Sequence, residues 1–135
     1  MKLFVYGTLM SGFWNNRLLE AATPLGVGMI PGTMFSLGGF PGIHLHDEWK
    51  DNPVVYGELY EIDESILARC DRLEGYRGPN DPHNFYVRKS VNVAHPKKER
   101  EETQAFVYEW NGMRQNHTIV HSGDWREYVN GNQNN

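Results

Sequence analysis

LGVGMIPGTMFSLGGFPGIHL, residues 25–45, is the stretch on which the fold turns. Six glycines, at positions 26, 28, 32, 38, 39 and 42, interrupt its apolar residues, and Pro31 and Pro41 punctuate the run. Glycine inside a strand marks a bulge, a bend or the close approach of another backbone, and proline interrupts a hydrogen-bonded ladder. The stretch therefore reads as short strands bent at glycines, as the tight corners of a small barrel require.

The flanking segments supply the rest of a sheet. Leu3 to Tyr6 is an unbroken run, so Lys2 to Tyr6 reads as a strand buried inside the sheet. Phe13 to Glu20 is a candidate short helix with Trp14, Leu18 and Leu19 turned inward, ending before Thr23-Pro24. His46 to Asn52 is a polar connection. Val54 to Ile62 reads as a strand in which Gly57 signals a bulge or a close backbone approach. Phe85 to Val93 alternates, with Phe85, Val87, Val91 and Val93 on one face and Tyr86, Arg88, Ser90 and Asn92 on the other. Gln104 to Trp110 is its expected antiparallel partner, joined through the charged segment HPKKEREET, residues 95–103, and Asn111-Gly112 follows as a turn.

One helix stands out. Asp63 is a natural N-cap, and Ile66, Leu67, Cys70 and Leu73 recur at three- and four-residue steps along a single face. Gly75 ends that helix in the left-handed conformation and leaves Glu74 at its last turn. A carboxylate there faces the partial negative charge of a helix C-terminus, so its placement asks for a reason beyond helix stability. The bland alternative is a solvated glutamate at a helix end.

Composition narrows the function. A length of 135 residues predicts a single domain, residues 1–130, followed by a disordered tail, 131–135, with the sequence GNQNN. The net charge is −4, and Lys97, Lys98 and Arg100 are interleaved with Glu99, Glu101 and Glu102, which gives nucleic acid no basic surface. Cys70 is the single cysteine, and Met-Lys-Leu-Phe-Val lacks the apolar run of a signal peptide, so a cytoplasmic protein is expected. No apolar stretch reaches the roughly 18 residues of a membrane span, so no membrane partner is expected. His44, His46, Asp47 and Glu48 match no closed metal-site spacing, and an exposed loop is the better reading. On its inward helical face, Cys70 reads as a small buried hydrophobe. Trp125 and Tyr128 are expected to lock the C-terminal segment over the barrel.

The first strand ends at FVYGTLMSGFWNN, residues 4–16, where Gly7 breaks the apolar run. A strand that stops at glycine exposes main-chain N–H groups, which can grip an anion such as a carboxylate. Strand-end packing is the competing account of Tyr6 and Gly7, and the two are compatible.

Four short blocks lie in order along the chain: VYGTL at 5–9, GGFPG at 38–42, LEGY at 73–76 and SGDW at 122–125. Together with YGELYEID (56–63), CDRLEGY (70–76), YVRKSVNV (86–93) and SGDWREY (122–128), they resemble the γ-glutamylcyclotransferase-like, or AIG2-like, family over nearly the whole chain. The resemblance implies an α+β fold, a small mixed β-barrel with flanking short helices, and a pocket floored by the loop after the first strand. It further implies that backbone groups of Tyr6, Gly7, Thr8 and Leu9 hold the carboxylate end of a γ-glutamyl group and that Glu74 is the acid–base residue. Tyr86 is a further candidate substrate contact, and Arg88 a secondary one; a solvent-facing pair is the alternative for both.

No cofactor or metal is expected, because the family reaction is internal to a small-molecule γ-glutamyl substrate. The substrate's α-amine attacks its own γ-carbonyl, closing 5-oxoproline and expelling an amine. Family members differ in the amine released: a γ-glutamylamine, a γ-glutamyl-lysine product or an acylated antibiotic intermediate can be the substrate. GGFPG and the polar loop after it are expected to border the leaving-group side. The rival reading is a binding module that sequesters a small anionic metabolite in the same pocket without turning it over.

Overall fold

The computed structural model of the chain describes residues 1–113 and 116–133, with the side chains of 98–100, 132 and 133 left aside. In chain order these form β1 (Lys2–Val5), a 3-10 helix (Trp14–Leu19), β2 (Thr23–Ser36), β3 (Pro41–Leu45), β4 (Val54–Glu61), α1 (Glu64–Leu73), β5 (Tyr86–His95), β6 (Lys98–Trp110), β7 (Thr118–Ile119) and α2 (Trp125–Gln133). The strands run in the order β2-β4-β1-β6-β5, and β5 returns to β2 where Ala94 pairs with Met29, closing a five-stranded barrel. The β1–β6 pair is parallel and its neighbours are antiparallel, so the barrel is mixed, as expected. β3 and β7 extend the far half of β2 as a flap beyond the barrel.

β1 lies between β4 and β6, which explains why Leu3, Phe4 and Val5 are all buried instead of alternating. The glycine-rich stretch differs from the expected set of short strands. It forms one 14-residue strand and one of 5 residues, β2 and β3. The glycines serve close packing instead of ending strands. A Cβ on Gly28 would lie 2.5 Å from Val93, and one on Gly57, its cross-strand partner, 2.2 Å from the carbonyl of Val5. Gly57 thus answers to the close-approach reading. Pro31 sits where β2 exchanges one partner for another, pairing with β4 up to Pro31 and with β3 from Gly32, so its missing N–H falls at a change of ladder.

Other expectations are corrected. Trp14 is 75% exposed, with the Arg17 guanidinium 4.2 Å above its ring, whereas Leu19 is buried. Three residues per turn in a 3-10 helix put positions 14 and 17 on one face, away from the core. The charged connection at 95–103 is almost entirely strand: β5 and β6 pair from Tyr86↔Trp110 to His95↔Lys98. Glu101 and Glu102 on the β6 arm are exposed, so charge is compatible with the ladder there. At the start of β5 the predicted faces are exchanged, since Tyr86 is buried and Phe85 is exposed. The C-terminal helix continues past Gly131 to Gln133, where a disordered tail was expected to begin; residues 134 and 135 lie outside the described residues.

α1 follows its sequence. The Asp63 side chain accepts from the Ile66 N–H at 2.8 Å, and Ile66, Leu67 and Cys70 are buried, though Leu73 is not. Gly75 has φ +67°, Gly75 N–H donates to Arg72 O at 3.3 Å, and Tyr76 N–H to Asp71 O at 2.9 Å. That pairing is a Schellman motif, with Glu74 as the capping residue. Trp125 is buried and stacks on Tyr128, ring centroids 5.3 Å apart, which anchors α2 against the barrel.

Candidate active site

The end of α1 is tied directly to the barrel. Glu74 O accepts from the Tyr86 N–H at 3.2 Å and Gly75 O from the Phe85 N–H at 3.1 Å, so the helix cap and the start of β5 are positioned as one piece. Opposite them runs the loop that leaves β1. Two of its carbonyls are engaged: Gly7 O accepts from Met10 N–H at 3.0 Å, and Leu9 O from the Asn16 amide at 2.8 Å. The Asn15 amide donates to Thr8 Oγ1 at 2.9 Å. Among the described residues, the N–H groups of Gly7, Thr8 and Leu9 have no protein acceptor. A loop with successive N–H groups left without acceptors is a ready anion cradle.

Between cap and loop lies a cavity of about 420 Å³. It brings together Tyr6, Gly7, Thr8, Leu9, Glu74 and Tyr86, all of the residues expected at the site. Arg88 lies elsewhere, paired with Asp71 and packed over the rings of Tyr76 and Phe106. Gly7 has a reason to be glycine that the sequence did not show. Its φ is ordinary, but a Cβ would come within 2.8 Å of Pro41, which also lines the cavity.

The electrostatics of the cavity centre on Glu74. Burial pushes its carboxyl from an ordinary 4.5 up to about 7. No donor among the described residues bonds that carboxyl, and Glu74 is the one formally charged side chain among the described lining residues. At neutral pH it therefore populates both protonation states. Three phenols surround it. The Tyr6 hydroxyl donates to Tyr108 O, the Tyr86 hydroxyl to Pro41 O at 2.6 Å, and the Tyr108 hydroxyl to Asp71 Oδ1 at 2.7 Å. Burial first, with the nearby Glu74 charge adding to it, holds all three well above the usual tyrosine value, so they stay neutral. Their hydroxyl protons are committed to the framework, and Glu74 is the side chain left to move a proton.

Sequence reasoning missed several lining residues. Asn15 lies inside the quoted stretch 4–16 and could have been singled out as the amide that orients Thr8. Tyr108 carried no local signal, since a tyrosine in an alternating strand is as readily a core residue. Phe85 and Leu73 reach the cavity as exposed apolar groups, as does Phe40 from the GGFPG segment already expected there. Of the two segments expected on the leaving-group side, Gly39, Phe40 and Pro41 line this cavity, whereas His46, Asp47 and Trp49 of the polar loop line a separate one. The histidines of the 44–48 segment are engaged in the fold: His46 Nε2 bonds Thr33 Oγ1 at 2.7 Å, and His44 Nε2, on β3, bonds Gly112 O at 2.9 Å while its ring stacks on Trp110. Burial, then the charges of Glu74 and Asp71, push the Cys70 thiol up to about 12, so it is an inert part of the core. No helix among the described residues is long and apolar enough to cross a membrane.

A family model described as γ-glutamyl cyclotransferase, AIG2-like, matches residues 3–127. The γ-L-glutamyl-butirosin B γ-glutamyl cyclotransferase of Niallia circulans is 36% identical over 129 residues, covering 93% of this chain and 76% of that protein. The YkqA structure from Bacillus subtilis superposes with a TM-score of 0.76 at 26% identity, over 99% of this chain and 42% of that longer one. An AIG2-like protein from Mus musculus superposes with a TM-score of 0.62 at 27% identity, over 84% of this chain and 79% of that one. Barrel, cavity and match along nearly the full length agree, and the chain belongs to the γ-glutamyl cyclotransferase, AIG2-like family of enzymes.

Proposed function

We propose that this enzyme cyclises a γ-glutamyl amide to 5-oxoproline and releases the free amine, with Glu74 as the general acid–base. The observation that carries this reading is the meeting, in one cavity, of a carboxyl raised to about 7 and a loop whose N–H groups lack acceptors. The N–H groups of Gly7, Thr8 and Leu9 hold the anionic glutamyl end or the developing oxyanion, and Tyr6 and Tyr86 wall the glutamyl chain. An α-amine with a reference value near 8 is mostly ammonium at neutral pH, and ionised Glu74 takes one of its protons. The freed nitrogen attacks the γ-carbonyl, forming the ring C–N bond. The amide C–N bond then breaks as Glu74 returns its proton to the leaving nitrogen. The second proton lost by the attacking nitrogen also ends on the released amine, which departs as ammonium. No cofactor enters this balance. The single thiol of Cys70 suits a cytoplasmic setting.

Wild type and Glu74→Gln are incubated with γ-glutamyl amino acids, amines and γ-glutamyl-ε-lysine, and 5-oxoproline is followed by mass spectrometry. Formation by the wild type and at least a hundredfold slower formation by the variant is the expected result, since a positioned acid–base group contributes about 10²–10⁴ in rate. Equal rates from both proteins would remove Glu74 from the mechanism. Tight binding of a small anion without turnover would favour sequestration.

A further inference from the structure

The reading just given leaves the released amine unnamed, and the walls around Glu74 carry information about it. Leu73 precedes Glu74 in the chain, and Phe85 is hydrogen-bonded through its N–H to Gly75. Phe40 meets Phe85 edge to face, ring centroids 6.0 Å apart. Leu73 is 43% exposed, Phe85 48% and Phe40 39%, and all line the same cavity. Three large apolar side chains held open at one cavity mouth are unfavourable in water and match an apolar ligand that covers them.

Charge points the same way. Among the described lining residues there is no lysine, arginine or histidine. The anion-binding N–H groups lie on the loop opposite Glu74, where the glutamyl end is bound. A leaving group with its own carboxylate, as in any γ-glutamyl amino acid, would bring that charge beside Glu74 with no cation to meet it. Because Glu74 hands its proton to the departing nitrogen, the leaving group must sit next to it, among Leu73, Phe85 and Phe40.

We infer that the amine released by this enzyme is a carboxylate-free arylalkyl or alkyl amine with no charged group besides the departing nitrogen, its apolar body held by Phe40, Phe85 and Leu73. This rests on the cyclotransferase reading above and adds the substrate class to it. Phe40 and Phe85 are the specificity-determining pair. Their rings offer edges and faces to an aromatic or alkyl body and no hydrogen bond to a polar one.

The test compares kcat/KM for γ-glutamyl-benzylamide, γ-glutamyl-methylamide, γ-glutamylglycine and γ-glutamyl-ε-lysine, read as 5-oxoproline, in wild type, Phe40→Ala and Phe85→Ala. In the wild type the benzylamide is expected to exceed γ-glutamylglycine and γ-glutamyl-ε-lysine by about tenfold or more, in line with what an apolar pocket discriminates. In each variant the loss with the benzylamide is expected to exceed the loss with the methylamide by about fivefold or more. Turnover of γ-glutamylglycine or γ-glutamyl-ε-lysine equal to or above that of the benzylamide overturns the inference and leaves the cyclotransferase reading standing. Equal losses on all amides in both variants overturn the role of the aromatic pair. Absence of 5-oxoproline from every compound, methylamide included, overturns the cyclotransferase reading and this inference with it. The wild-type comparison stands even if a variant folds poorly.

Discussion

Glu74 is held in an environment that favours its neutral form, and stability should register this. Its carboxyl titrates near 7 in the folded chain against 4.5 ordinarily. Between those values the folded state binds more protons than the unfolded one, so stability falls as pH rises through this window, with the full cost present above about 7 and absent below about 4.5. At about 1.36 kcal/mol per unit the cost is at most about 3 kcal/mol. Glu74→Gln, which keeps the shape and discards the charge, is expected to be about 1–3 kcal/mol more stable than wild type at pH 8 and nearly equal at pH 4.5. Urea unfolding at the two pH values measures it. A difference that does not change with pH would mean that the carboxyl is well solvated. The expected pH-dependent difference would make the residue proposed to do the chemistry one that the fold holds at a cost, as is common for functional groups.

At the scale of elements, α1 carries Glu74 at one end and depends on Asp63 at the other. Asp63→Ala removes the 2.8 Å bond to the Ile66 N–H and should cost about 1 kcal/mol, lowering the thermal midpoint by several degrees as measured by circular dichroism. An unchanged midpoint would show that tertiary contacts alone hold the helix. α1 was legible from the sequence because its cap, its apolar stripe and its glycine stop are all local signals. β2 was misread for the opposite reason. What Gly28 and Gly57 do is set by Val93 and the Val5 carbonyl, brought in from other strands, and no window around either glycine contains that information. The site divides the same way. Tyr6 to Leu9 and Glu74 stood out as blocks with a chemical rationale, whereas Phe85 and Tyr108 become cavity walls only once the barrel has closed.

Across the whole molecule, one polar cluster fastens the ends of the chain to the site. Ser11 donates its N–H and hydroxyl to Glu58 at 2.7 and 2.8 Å, and Arg126 at the start of α2 reaches Ser11 O at 2.6 Å and Glu58 Oε2 at 3.1 Å. Burial alone would raise the Glu58 carboxyl, but the bonds from Ser11, with those of Tyr60 and Arg126, bring it below its usual value. Arg126 lines a surface cleft separate from the Glu74 cavity, so its effect on turnover would pass through the loop at 7–11. Arg126→Ala should weaken that loop by about 1 kcal/mol, which raises KM roughly fivefold and changes kcat little. Steady-state kinetics decide, and a fall in kcat at constant KM would contradict the loop's role in holding substrate. The parallel pairing of β1 with β6 carries a further consequence, for synthesis. β1 is made well before β6, yet its parallel partner at Leu3 is Phe106, so the earlier strand must wait for a much later one. Until then an apolar strand has an open edge, and the loop beyond it has no opposite wall. A nascent or truncated chain lacking β6 would carry every residue of the first block and no pocket.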